Sequence, residues 1–398
     1  MILASLLFCL PNSILSTKKS SKVVLGSDQL SELKWLEGKN IGLVTNHTGL
    51  NSHLERTADV IHRNPRLHLK ALFAPEHGLM GVAQAGAEVK GEIDEATGVP
   101  VYSLYSETRE PTAEMLRGID VLMFEIQDLG VRFYTNTATL EGAMRAAARA
   151  GIPFVVLDRP NPITASRVAG PMLDPAFKSF VGPFAVPVRY GMTYGELVRF
   201  LNGEFGLKCD LRVVKLKNWK RDEWFDQTGL PWVTTSPNIP ALDTAVVYPG
   251  FCWIEGTNLS EGRGTTHPFE WVGAPWLDSR RLADELNNKH MPGVFFRPIA
   301  FQPTFSKHKD TVCRGVQVHV LDRDQFDPLR SALELILAVR HNHPDQFRFL
   351  EKGFDRLAGS DKIRKQIEAG TSAGKIVESW NEDLRAFQAR RSKYLIYP

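Results

Sequence analysis

The stretch LKALFAPEHG, residues 69–78, decides how the chain is read. Leu69 to Phe73 is a short, mostly apolar run of the length of a buried strand, and Pro75-Glu76-His77-Gly78 ends it in a tight bend. A carboxylate and an imidazole beside a buried strand carry a desolvation cost that a ligand or a reaction would offset. A solvated turn that only reverses the chain is the blander reading of the same residues.

The pattern repeats outward from this stretch. Ile41 to Val44 leads into TNHTG, Val99 to Tyr102 into SLYSE, Val121 to Phe124 into EIQDLG, and Phe154 to Leu157 into DRPNP. Between the runs, residues 52–62 and 139–150 have helical spacing, and PTAEMLRG, residues 111–118, offers a proline start and a glycine stop. Alternation of this kind predicts an α/β fold with a mostly parallel sheet. Right-handed crossovers then place every strand's C-terminal end on one edge, where ligands bind. Asn46 and His47, Glu76 and His77, Glu125 and Asp128, and Asp158, Arg159 and Asn161 all follow strand ends. Four separate stretches converging on one edge make a site a better reading than four unrelated turns.

Beyond Ala165 the alternation loosens. A helix is expected from Thr193 to about Gly203 and a strand at 211–216. Residues 236–273, rich in Pro, Gly, Asn and Thr with interleaved aromatics, read as a long functional loop region near a domain boundary. A helix at 279–287, strands near 294–301 and 315–320, a helix at 328–340 and further helical segments complete the chain. The division expected is a leader at 1–22, a parallel-sheet domain at 23–235 and a smaller α+β domain at 236–398.

A chain of 398 residues that is 43% hydrophobic buries a full core. Its net charge of +3 comes from scattered residues, so a nucleic-acid surface is not expected. Cys9, Cys209, Cys252 and Cys313 lie far apart with no C-x-x-C pair, which excludes a disulfide framework and a thiolate zinc site as readings. Residues 1–17 are apolar and uncharged but too short to span a membrane. They read as the hydrophobic part of an export signal, lacking both the preceding positive charge and a small-x-small cleavage site, and point to a periplasmic or extracellular location.

Glu76 with Glu125 or Asp128 supplies the paired carboxylates that acid and base work on a glycosidic bond requires. Burial at a strand end pushes one carboxyl toward its protonated form, while a partner near Arg132 or Arg159 stays ionised. In WIEGTNLSEGRGTTHPFEW, residues 253–271, Glu255, Asn258, Glu261 and Arg263 sit among glycines with Trp253, Phe269 and Trp271 nearby. That mixture suits a sugar, whose C–H faces pack on aromatics and whose hydroxyls meet polar groups; the equal alternative is that Gly262 and Gly264 only shape a turn and the aromatics serve the core of the second domain. No G-x-G-x-x-G follows the first strand and EGRGTT lacks a phosphate loop's lysine, so no nucleotide cofactor is expected. His47, His77 and His267 have no ligand spacing, and no metal is expected either.

Taken in order, APEHGLMG, FEIQDLGVRFYTNTATL, VLDRPNPI, RYGMTYGEL, SPNIP and IEGTNLSEGRGTTHPFEWVGAPW resemble a bacterial family long catalogued only as a domain of unknown function. Its characterised members are exo-acting β-N-acetylmuramidases of peptidoglycan recycling. The resemblance runs from about Gly38 to the C-terminus. It implies a Rossmann-like domain joined to a smaller one, an active site in the cleft between them, no cofactor, and removal of terminal non-reducing N-acetylmuramic acid from peptidoglycan-derived oligosaccharides. It makes Glu76 the leading catalytic carboxylate, accompanied by His77, Glu125 and Asp128. Asn46, Arg132, Tyr134, Asp158, Arg159, Asn161, Asn238, Glu255, Asn258, Glu261 and Arg263 become the cleft lining. The family more often carries aspartate where Glu125 stands and histidine where Tyr190 stands. A muramic acid carboxylate calls for a cation, with Arg132, Arg159 and Arg263 as candidates. The alternative function is a non-catalytic envelope protein that binds muropeptides. The stereochemical course and the oligomeric state stay open.

Overall fold

The computed structural model describes residues 22–88 and 90–398. Cys9 and residues 1–21 of the expected leader lie outside the described residues. The strands are β1 Asn40–Thr45, β2 His68–Ala74, β3 Glu92–Ile93, β4 Pro100–Ser103, β5 Val121–Glu125, β6 Phe154–Leu157, β7 Ala169–Met172, β8 Pro187–Arg189, β9 Leu211–Val214, β10 Trp271–Ala274, β11 Val294–Phe301 and β12 Cys313–Val320. The helices are α1 Thr57–Arg63, α2 Asn136–Ala150, α3 Tyr194–Glu204, α4 Leu242–Phe251, α5 Ser279–Asn287, α6 Pro328–Asn342, α7 Glu351–Ala358, α8 Lys362–Glu368, α9 Ala373–Glu378 and α10 Asn381–Arg391.

Seven strands form one sheet in the order β3-β4-β2-β1-β5-β6-β9, parallel except for β3. This is the mostly parallel α/β sheet expected from the alternating runs. Its strands bury both faces because successive side chains point to opposite sides. Val44, Leu122, Phe124, Phe154 and Val156 pack under α2 and α3, while Leu43, Val121, Met123, Val155 and Leu157 pack on the face of α1. Thr193 and Glu196 form a reciprocal capping box that starts α3, and Gly151, at φ 67°, closes α2. In the second half, β10, β12 and β11 make an antiparallel sheet covered by α5 and α4, with α6 packed against both helices. One hydrophobic core runs through both halves, joining Val131, Phe133 and Ile163 to Trp253, Val316 and Phe354.

Two expectations fail for physical reasons. Residues 111–118 form consecutive turns rather than a helix, with Leu116 N–H on the Thr112 carbonyl and Arg117 N–H on that of Glu114. Only Pro111 and Leu116 are buried in this segment, so little packing is available to offset helix nucleation. The supposed loop at 236–273 contains α4, which is buried on nearly every side. A helix with no polar face has no amphipathic period to betray it.

Most polar groups at the strand ends hold the fold together. Asn46 accepts from Thr48 N–H and hydroxyl. Glu125 is fully buried against Arg159 at 2.7 Å; burial pushes its carboxyl up and the guanidinium opposes this. Thr45, Glu125 and Arg159 thereby fill the crevice between β1 and β5, where the strand order reverses. Asp128 accepts from Leu129 N–H and the Tyr190 hydroxyl. Asp158 accepts from Thr193, Gly195 and Tyr397, and Asn161 donates to the Met192 carbonyl. Arg132, expected in the cleft, is fully buried and donates to the carbonyls of Pro171, Val186, Leu357 and Ala358. Asn46, Glu125, Asp128, Arg132, Asp158, Arg159 and Asn161, all expected at the site, thus make hydrogen bonds within the fold, and none of them lines the cavity described below.

Arg132→Ala strands four buried carbonyls and should lower unfolding stability by about 3 kcal/mol or more, read from denaturant midpoints. A second expectation concerns Asp128, whose carboxyl burial pushes up to about 6 against the opposing Tyr190 hydroxyl. From the ordinary 3.8 up to that value, the unfolded chain ionises while the folded chain keeps its proton. This group's contribution is therefore fully present below the lower value, falls as pH rises through the window, and is constant above it. Asp128→Asn removes the titration, so its stability relative to wild type should climb between pH about 4 and about 6 in urea titrations. A difference that is flat with pH would contradict the assignment.

Candidate active site

A cavity of about 370 Å³ opens at the ends of β2 and β4, displaced from the filled crevice at β1 and β5. Of the residues expected at the site, Glu76, His77, Tyr134, Asn238, Glu255 and Arg263 line it. The cavity is built from both halves of the chain. Its size lies within the range of small-ligand pockets, about 300–1,000 Å³.

The bend after β2 sets Glu76 in place. Pro75 closes the strand, and His77 at φ 72° and Gly78 at φ 79° both take the left-handed conformation. A non-glycine residue held there is strained and needs support from its surroundings. The support comes from ring and backbone together: His77 Nδ1 meets the Ala83 carbonyl at 2.6 Å, and Ala83 N–H donates to the His77 carbonyl. Because a carbonyl only accepts, Nδ1 carries the hydrogen and Nε2 is left as the acceptor of the neutral ring. His47 braces the same loop from the other side. Its Nε2 donates to the Thr234 carbonyl at 2.6 Å, and a Cβ at Gly81 would collide with its ring.

The segment after the bend folds back over the carboxylate. Glu76 is 6% exposed, and its Oε1 accepts the Gly86 N–H at 2.9 Å. No described cation pairs with it. Tyr105 lies beside it, and burial followed by the Glu76 charge raises that phenol's pKa. Arg109 stacks over Tyr105 with its guanidinium carbon 3.7 Å from the ring centre, and lies 4.9 Å from the centre of Phe180. The Tyr134 hydroxyl donates to the Thr235 carbonyl, tying the wall of the sheet half to the SPNIP segment. From that segment Asn238 reaches the Gln84 side chain at 3.4 Å.

The opposite wall comes from the stretch after α4. Arg263 holds Glu255 Oε1 through Nη2 at 2.6 Å and Nε at 3.2 Å. Glu261 stands behind, 3.4 Å from Arg263 and 2.9 Å from Lys307. Lys307 also donates to the carbonyls of Ile254, Glu255 and Thr257, fixing the short 3-10 turn Cys252–Gly256 that carries Glu255. Gly264, at φ 79°, lets the chain approach the Phe305 backbone, where a Cβ would come within 2.6 Å. Glu261 and Asn258, expected to bind substrate, thus make contacts that support this wall and do not line the cavity. Asn258 bonds the Gln346 carbonyl and the Arg348 N–H.

The aromatic reading is also corrected. Trp253 is core, packed near Phe354 and Trp380, and Trp271 stacks with His267 and Phe301. Only Phe269 of that group reaches the cavity, joined by Tyr105, Phe133, Phe180 and Tyr248. Among the described residues no three His, Cys, Asp or Glu side chains are grouped to hold a metal, and no helix is long and apolar enough to cross a membrane. Sequence reasoning missed Tyr105, Arg109, Phe180 and Arg356. Tyr105 and Arg109 follow β4 on the same edge, so the strand-end rule could have found them. Phe180 and Arg356 reach the cavity only through tertiary packing.

Comparison with known proteins gives a consistent family. Residues 41–243 match the N-terminal model of exo-β-N-acetylmuramidase NamZ, and residues 246–397 match its C-terminal model. The chain is 51% identical over 390 residues to the peptidoglycan β-N-acetylmuramidase NamZ of Bacillus subtilis strain 168, covering 97% of this chain and 94% of that protein. Two crystal structures of DUF1343 family proteins from Bacteroides fragilis superpose with TM-scores of 0.88 and 0.78 at 39% and 32% identity. Each comparison covers 95% of this chain and 99% of the other. With both family models matched in sequence order and a relative at this identity along nearly the whole chain, the protein belongs to the NamZ family of exo-β-N-acetylmuramidases.

Proposed function

We propose that the chain hydrolyses the β-glycosidic bond of a terminal non-reducing N-acetylmuramic acid in peptidoglycan fragments, with Glu76 as proton donor to the leaving oxygen. The observation that carries this reading is the single cavity with Glu76 in its wall, enclosed by both halves and lined by aromatics that match a sugar's C–H faces. Family membership supports the reaction class. An acid must reach the oxygen it protonates. Glu76 is therefore to exchange its Gly86 hydrogen bond for one to the glycosidic oxygen when substrate enters.

The cation that reads the muramic acid carboxylate follows by elimination. Arg132 and Arg159 are spent inside the fold, and Arg263 faces two carboxylates. Arg109 and Arg356 also line the cavity, and neither makes an ion pair among the described residues. Arg109 is held flat over Tyr105 and beside Phe180, so little side-chain entropy remains to be lost when it binds an anion. Arg109 is the reader of the carboxylate in this proposal, with Arg356 adding charge from the end of α7.

Glu76→Gln should cut kcat on the muramic acid–glucosamine disaccharide by about 10²–10⁴-fold while ligand binding, read by calorimetry, persists. Unchanged turnover would remove Glu76 from the chemistry. Arg109→Gln should raise KM for a β-N-acetylmuramide by about 10- to 100-fold and leave the β-N-acetylglucosaminide, which lacks the carboxylate, nearly unaffected. An equal effect on both substrates would show that Arg109 serves the pocket's shape rather than the anion.

A further inference from the structure

A glycosidase of this kind needs a second group besides the acid, and the strand-end candidates are used up. Glu125 is buried against Arg159, and Asp128 is buried under Tyr190 and Leu129. Neither lines the cavity. Glu261 is 2% exposed and lies between Arg263 and Lys307. One carboxylate other than Glu76 reaches the cavity, and it comes from the opposite half: Glu255.

We propose that Glu255 is the second catalytic residue, the anionic acceptor for the group that attacks the anomeric carbon; this rests on the muramidase reading above. Three features of the structure fit that role. Glu255 is anchored through one oxygen only: Arg263 takes Oε1 twice, while Oε2 has no partner among the described residues. Its side chain is 28% exposed, against 6% for residue Glu76, so the free oxygen is accessible from the cavity. The backbone beneath it is fixed by the ammonium of Lys307 on three carbonyls. A reactive carboxylate held by one oxygen on a braced turn keeps its orientation without surrendering its lone pairs.

The two carboxylates also differ in their neighbours. Glu76 has a backbone N–H and a phenol beside it and no cation, whereas Glu255 has a guanidinium at 2.6 Å. In the reaction the C1–O bond breaks with its electron pair going to the leaving oxygen, which takes the proton of Glu76. C1 gains its new bond from the oxygen of water or of the substrate's own acetamido group. Either attacker carries a hydrogen, O–H in water and N–H in the amide, that becomes acidic as the bond forms. Glu255 Oε2 accepts it, so the pair ends with Glu76 ionised and Glu255 protonated after direct attack by water. After attack by the amide, water opens the neutral cyclic intermediate: its oxygen bonds to C1 as the bond from C1 to the acetamido oxygen breaks, one of its protons goes to Glu76, and Glu255 returns its proton to the acetamido nitrogen.

The test uses leaving groups of different basicity. The p-nitrophenolate ion departs without a proton, whereas a sugar alcohol needs one. Kinetics of wild type, Glu76→Gln, Glu255→Gln and Glu255→Asp are compared on p-nitrophenyl β-N-acetylmuramide and on the natural disaccharide. Glu255→Gln is expected to lower kcat by about 10²–10⁴-fold on both substrates by a similar factor, with KM changed by only a few-fold. Glu255→Asp keeps the charge facing Arg263 and so preserves the wall; it should retain KM and lose kcat, because the acceptor is withdrawn by a methylene. A Glu255→Gln kcat within about 5-fold of wild type on both substrates, or a loss confined to KM, would overturn the proposal. Should the glutamine variant melt early, Glu255→Asp at full kcat would overturn it equally. Failure of the Glu76 reading has a separate signature: Glu76→Gln would then act alike on the aryl glycoside and the disaccharide, whatever Glu255 does.

Discussion

The guanidinium of Arg132 is the contact on which the cleft depends. It leaves α2's approach segment and donates to carbonyls from β7, from the residue before β8 and from the last turn of α7. Helix ends leave carbonyls unpaired, and a buried end must find donors elsewhere. The α7 terminus finds them in the first half of the chain. Gly359, at φ 84°, completes the arrangement, since a Cβ there would lie 2.6 Å from Arg132 Nη2. Arg356 and Leu357, one turn away, form part of the cavity wall. A buried charge with no carboxylate nearby thus fixes where the second half sits against the sheet.

The strand-end edge shows a division of labour. Parallel sheets gather polar residues at one edge because loops begin there, yet a buried polar group must be satisfied internally before a ligand arrives. Asp128 and Asp158 are satisfied by neighbours and Glu125 is held through Oε1 alone, its buried Oε2 having no hydrogen-bond partner among the described residues, and burial still raises the carboxyl pKa of all three. Glu76 differs in facing open volume with a single backbone donor on one oxygen. Four polar clusters of similar appearance in sequence therefore separate into three that bond within the fold and one that faces the cavity.

The sheet was legible because runs such as Phe154 to Leu157 and Val121 to Phe124 are bounded by turn residues, and a buried parallel strand needs no alternation to be seen. Thr193 with Glu196 announced α3 through its cap. The site was legible in part. Glu76 and His77 stood out through their unfavourable position, and Glu255 and Arg263 through polar residues set among glycines. Arg132 was misjudged because a charged side chain reads as a surface or ligand group, and only the fold reveals that four backbone oxygens converge on it. Helix α4 was misjudged because its uniformly apolar sequence carries no period, and Pro249 lies inside it.

The cavity between the halves has a genetic consequence. One wall is encoded up to residue 181 and the other after residue 235, and neither encloses the cavity alone. Exchange of either segment with an unrelated gene would break the core that both halves share as well as the enclosure. Inheritance of the two segments is thereby constrained to a single reading frame or to a permanently associated pair. Drift in α7 or in the turn at Cys252–Gly256 is subject to the same selection as drift in the bend at Glu76, although the first two lie more than 170 residues downstream of it.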